Sequence, residues 1–162
     1  MKKILFIVIA VTELFFTACS TQKSLPSIQN NHTPYKLQTS NLVTQKLYSS
    51  YKKWAATPYC YGGEGHNGID CSALVQKIYK EAFNLQLPRT TKEQLKVGKA
   101  VHKNDLKEGD LLFFKTSYKA LHTGIYLEKG NFIHASSKYG VKISNIRNSY
   151  WKKNYYLARR LF

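Results

Sequence analysis

The sequence predicts an α+β fold, with N-terminal helices packed on a mostly antiparallel β-sheet of about five strands. Between Leu42 and Phe83, apolar residues return about every 3.6 positions, the period of a helix with one buried face. After Gly109-Asp110 the pattern changes to short apolar runs bounded by turn residues, which read as strands. Helices first and consecutive strands afterwards favour an antiparallel sheet, because parallel strands need a crossover helix between them.

The first helix is expected from Asn41, with Leu42, Leu47, Tyr48, Tyr51, Trp54 and Ala55 on its apolar side, Ser40 as N-cap and Pro58 as stop. Tyr61-Gly62-Gly63 and Asn67-Gly68 then mark a glycine-rich loop. A second helix is expected from Asp70 or Cys71, burying Leu74, Val75, Ile78, Tyr79, Ala82 and Phe83, with Leu87-Pro88 ending the segment. Thr90 with Glu93 three residues on forms a capping box that opens a short third helix. Strands are expected over residues 111–115, 122–128, 131–136, 141–144 and 155–161.

Ahead of this domain lies a segment of different composition. Met1-Lys2-Lys3 is positive, and the stretch from Ile4 to Phe16 is apolar apart from Thr12 and Glu13. It is short for a membrane span and reads as a secretory signal peptide over residues 1–18. Phe16-Thr17-Ala18-Cys19-Ser20 resembles the lipobox of bacterial lipoproteins, although Phe16 stands where leucine is usual. That resemblance implies a lipid on Cys19, a tether over residues 19–40 and a folded domain over residues 41–162. The tether is rich in Ser, Thr, Gln, Asn and Pro, a composition that resists forming a core.

The chain of 162 residues carries a formal charge of +16, and 43% of it is apolar, too much for a disordered protein. The lysines are spread rather than gathered in one run. A solvated basic surface is the ordinary reading, and a polyanionic neighbour the alternative, with anionic lipid and an anionic envelope favoured over nucleic acid because no nucleic-acid motif is present. The cysteines and histidines show no zinc-type spacing, so no metal or cofactor is expected.

Gly68-Ile69-Asp70-Cys71-Ser72 puts a cysteine in the first turn of an amphipathic helix. Free N–H groups and the helix dipole there favour a thiolate and lower its pKa. Taken alone, such a cysteine is more often structural than catalytic, and Cys60 and Cys71 could form a disulfide. A catalytic thiol also needs a histidine base with an orienting partner. Of the five histidines, His122 and His134 sit in apolar settings on consecutive strands. Side chains alternate along a strand, so a two-residue turn at Lys129-Gly130 would place them on opposite faces. A three-residue loop, Glu128-Lys129-Gly130 with Gly130 left-handed, pairs His134 with Gly124 and brings His122 diagonally near it.

The ordered blocks Thr57-Pro58-Tyr59-Cys60-Tyr61-Gly62-Gly63, Gly68-Ile69-Asp70-Cys71-Ser72, Leu87-Pro88-Arg89-Thr90, Gly109-Asp110-Leu111-Leu112-Phe113-Phe114, His122-Thr123-Gly124-Ile125-Tyr126-Leu127 and Phe132-Ile133-His134-Ala135-Ser136 resemble the NlpC-type cell-wall cysteine peptidases. The resemblance runs from about Lys52 to Phe162. It implies a papain-like fold and a monomer that hydrolyses peptidoglycan stem peptides or their cross-links at D-Glu–diaminopimelate or D-Ala–diaminopimelate, through a thioester and without a cofactor. It implies Cys71 as nucleophile, His122 as base, His134 as the group orienting His122, and Tyr59 as a helper to the oxyanion. It also implies that Asp70 and Ser72 contact substrate. Together with the lipid on Cys19, it implies a cell-envelope lipoprotein on a membrane, the outer membrane facing the periplasm in a Gram-negative cell. Ala73 replaces the family's usual glycine, and Leu121 and Thr123 flank His122 where Ser and Val are common, so substrate preference is more in question than activity. An inactive wall-binding lipoprotein and a papain-like amidase or acyltransferase are the alternatives.

Overall fold

The computed structural model describes residues 35–118 and 120–162. The expected signal peptide, Cys19 and the tether as far as residue 34 lie outside the described residues. Helix α1 spans Tyr35–Trp54 and so begins before the expected Asn41, with Ser40 inside the helix rather than at its cap. The polar composition of residues 35–40 obscured this start. Helix α2 spans Cys71–Phe83 and ends where Asn84 turns left-handed. α1 is fastened to α2 through Glu81, which accepts hydrogen bonds from Ser50 Oγ at 2.7 Å and Trp54 Nε1 at 3.0 Å.

A two-stranded hairpin, β1 (Glu64–Gly65) with β2 (Gly68–Ile69), leads into α2. The short helix α3 (Thr91–Gln94) follows, with Thr90 as N-cap accepting from the Glu93 N–H, as the capping box requires. The main sheet is antiparallel and holds β3 (Lys99–Val101), β4 (Leu111–Lys115), β5 (Leu121–Tyr126), β6 (Asn131–Ser136), β7 (Gly140–Asn145) and β8 (Tyr155–Arg160), in the order β3-β8-β4-β5-β6-β7. It has six strands rather than about five. The addition is β3, an edge strand too short and too exposed to show an alternating pattern. Helix α4 (Ser149–Asn154), capped by the Asn148 side chain, was also unforeseen.

The sheet is buried on both faces. Leu111 and Phe113 of β4, Ile125 of β5 and Ile133 and Ala135 of β6 pack against Leu47 of α1 and Leu74, Ile78 and Tyr79 of α2. The opposite face carries a smaller core of Leu112, Phe114, Phe132, Ile146 and Ala158, covered by Trp151 of α4 and by Tyr155. Alternation along the strands therefore assigns His122 and His134 to the α4 face, while α2 lies on the other.

The β5–β6 connection is the three-residue loop expected. Leu127 N–H donates to Asn131 O, Ile125 pairs with Ile133, and Gly130 has φ +88°. Lys129 is left-handed too, at φ 53°. This register sets Gly124 opposite His134 and keeps both histidines on one face.

Candidate active site

Asp70 has the extended backbone of an N-cap and accepts from the Ala73 N–H at 2.7 Å, so Cys71 is the first residue of α2. Its carboxylate also receives the Ser72 hydroxyl at 3.0 Å, the Gly62 N–H at 3.2 Å, and Arg89 Nη1 and Nη2 at 3.1 and 2.8 Å. Arg89 reaches Ser72 Oγ at 3.1 Å and Glu64 at 2.5 Å as well. Burial pushes the Asp70 carboxyl up, but the hydrogen bonds from Arg89, Ala73 and Ser72 outweigh it and hold it below the usual range. Asp70 and Ser72 thus face the cleft with their polar atoms already engaged in locking the turn that presents Cys71. Arg89 falls in one of the sequence blocks, but the sequence offered no role for it. Its partners are far away in the chain and meet it only in the fold.

Cys71 is buried, and both it and Cys60 are free thiols. Its Sγ lies 3.6 Å from Thr91 Oγ1. Burial is the strongest influence and raises the thiol's pKa. The bonds from Thr91 and Thr123 pull it down, the Asp70 carboxylate pushes it up, and the Ser72 bond pulls it down. The expectation of a thiol lowered by its helix start is therefore corrected. Desolvation wins in the resting site, and the thiol is protonated at neutral pH.

His122 Nε2 lies 3.0 Å from His134 Nδ1, and His134 Nε2 lies 2.9 Å from Ser144 Oγ. The two rings meet edge to face, with Trp151 stacked on His122 and Phe132 on His134. Burial pushes the pKa of His122 down to about 4. It pushes that of His134 down as well, with help from His122 and Lys142. Both rings are neutral near pH 7. With Nε2 directed at His134, His122 has Nδ1 left for a proton from Cys71. A bare Nδ1 requires the Nε2–H to donate to His134 Nδ1, which in turn requires His134 Nε2–H to donate to Ser144. Ser144 Oγ, which can accept or donate, completes this series at its far end, a position without any local sequence signal. Among the described residues no hydrogen bond joins Cys71 to His122.

Tyr59 bridges to Ile69 beside this turn, and burial, then the nearby Cys71, raises its phenol pKa. Tyr59, Asp70, Cys71, Ser72, His122 and His134 all line one open cleft of about 1310 Å³. Of the other described histidines, His66 stacks on Trp54 and His102 precedes a short 3-10 turn, and neither lines the cleft; His32 lies outside the described residues. Cys60 is exposed.

Residues 56–160 match the model of the NlpC/P60 family. The chain belongs to that family. It is 40% identical over 158 residues to the probable endopeptidase NlpC of Escherichia coli (strain K12), an alignment covering 96% of this chain and 99% of the relative. It is 39% identical over 136 residues to the murein DD-endopeptidase MepS/murein LD-carboxypeptidase of the same strain, covering 83% of this chain and 72% of that one. Among solved structures, one from Staphylococcus aureus subsp. aureus Mu50, described as similar to lipoprotein of the NLP/P60 family, superposes with a TM-score of 0.66 at 30% identity. That match covers 74% of this chain and 41% of the staphylococcal one. The α+β fold of the NlpC/P60 domain, read from the sequence, is thus found in this chain.

Proposed function

We propose that this NlpC/P60 protein is a peptidoglycan hydrolase, a cysteine peptidase that cuts amide bonds in murein stem peptides or their cross-links. The observation that carries this reading is the convergence of Cys71 with the hydrogen-bonded series His122, His134 and Ser144 on one open cleft. The names of its close relatives, endopeptidases of murein among them, support the substrate class.

Substrate entry draws the Cys71 proton away from Thr91 and onto His122 Nδ1. The thiolate attacks the carbonyl carbon, and the oxyanion is held by the Cys71 backbone N–H and the Tyr59 hydroxyl. The Cys71 N–H has no acceptor within its helix because it opens α2. His122 then gives its proton to the leaving amine, leaving a thioester on Cys71. Water attacks the thioester, gives a proton to His122 and releases the carboxylate as the thiol reforms. Asp70 and Ser72, held by Arg89, form the acyl-side wall of the site. The neutral resting pair means that proton transfer to His122 accompanies substrate binding and attack instead of being complete beforehand.

Digestion of defined muropeptides by the wild type and Cys71→Ala, followed by mass spectrometry, tests the assignment. Products carrying a new amine and a new carboxylate are expected from the wild type and none above background from the variant. Equal digestion by both would remove Cys71 from the mechanism. We also propose that the protein acts as a monomer in the cell envelope, tethered to a membrane by a lipid on Cys19.

A further inference from the structure

We propose that Lys138 and Lys142 form a carboxylate clamp on the leaving-group side of the cleft, so that the enzyme cuts where the released amine sits on a carbon bearing a free carboxylate. This rests on the hydrolase reading above and deepens it.

Both lysines line the cleft. Lys142 is the direct cross-strand partner of His134, and Ser144, two residues on, is hydrogen-bonded to the same ring. Lys138 lies in the β6–β7 turn, where Ser136 Oγ accepts from the Lys138 and Tyr139 N–H groups at 3.3 Å each. The turn projects the exposed Tyr139, and both ammonium groups gather on its ring, Lys138 at 5.2 Å and Lys142 at 5.0 Å from the centroid. Neither lysine forms an ion pair among the described residues. Two like charges held at one ring without an anion repel each other, and a carboxylate placed between them relieves that repulsion.

The order of strands gives the clamp its side. His122 is on β5, His134 on β6 and Lys142 on β7, three neighbouring strands. Neighbouring strands lie about 4.8 Å apart, so the series runs across the sheet from His122 to Lys142. His122 must protonate the leaving amine, so the leaving half of the substrate lies over β5–β7, opposite the Asp70–Arg89 wall. A carboxylate on the carbon that bears the amine falls toward Lys142. Cleavage at D-Ala–diaminopimelate releases such a residue. Cleavage at D-Glu–diaminopimelate releases one whose nearest carboxyl is tied up as an amide whenever the peptide continues. The clamp therefore favours the former bond.

The test compares kcat/KM on two cross-linked muropeptides that differ only at the carboxyl beside the scissile amine, free acid in one and carboxamide in the other. The wild type is expected to prefer the acid by about 10- to 100-fold, the range of a charge-assisted contact. Lys138→Gln with Lys142→Gln should bring the ratio close to one by slowing the acid alone, while Lys142→Arg keeps the preference. A wild-type ratio near one overturns the clamp, as does a ratio unchanged in the double variant, including equal loss on both substrates. A wild type that cuts neither muropeptide overturns the hydrolase reading, and the clamp with it.

Discussion

His134 is 1% exposed, and its burial among Phe132, Trp151 and His122 keeps it neutral. Folding therefore places two imidazoles where a proton is unwelcome. A histidine with a depressed pKa in the folded protein binds fewer protons than it does unfolded, where its value is about 6.5. Stability then rises with pH across the interval between those values and is lost as pH falls through it. For His122 that interval runs from about 6.5 down to about 4. The expected slope approaches about 1.4 kcal/mol per pH unit for each histidine. Urea unfolding between pH 7 and pH 4 should show this fall, and His134→Gln should flatten it; an equal slope in the variant would contradict the account. The residues proposed to react were legible one by one, because a cysteine at a helix start and histidines on strands carry local signals. Arg89, Thr91 and Ser144 were not legible as partners. Threonine and serine read as ordinary strand or cap residues, and their partners come from other parts of the chain.

The β5–β6 hairpin is the element that makes two separate histidines into a pair. Its register follows from the loop, and the loop was readable because Gly130 supplies the left-handed residue that an odd-length turn needs. Register in turn makes Gly124 indispensable. A Cβ there would stand 2.6 Å from the Ile133 carbonyl oxygen, 2.8 Å from the Phe132 ring and 3.2 Å from His134 Cβ. The first of these is backbone and has no rotamer in which to retreat. Gly124→Ala should force β5 from β6, cost about 1–3 kcal/mol by overpacking, and lower kcat through the widened His122–His134 contact. Chemical unfolding and steady-state kinetics check the two effects, and a variant with wild-type stability would remove the close approach as a constraint. Strands with alternating or wholly apolar runs were visible in the sequence. β3 and α4 were not, since one is a short exposed edge and the other has no buried residue.

At the scale of the whole molecule, the charge of +16 and the N-terminal segment bear on where the enzyme works. A basic protein is drawn to an anionic wall or membrane, but the attraction between exposed charges fades beyond about 8 Å at physiological salt. It concentrates the enzyme without fixing it. Fixing needs acyl chains, each buried CH₂ contributing about 0.8 kcal/mol whatever the salt. The two contributions separate experimentally. With Cys19 lipidated, the protein should stay with membranes washed in 1 M salt. Cys19→Ala should be released by that wash, while retaining weak, salt-sensitive association and full activity on soluble muropeptides, since the catalytic cleft lies in the folded domain. Retention of Cys19→Ala on salt-washed membranes would show that the basic surface or another contact holds the protein, and the lipid anchor would fall.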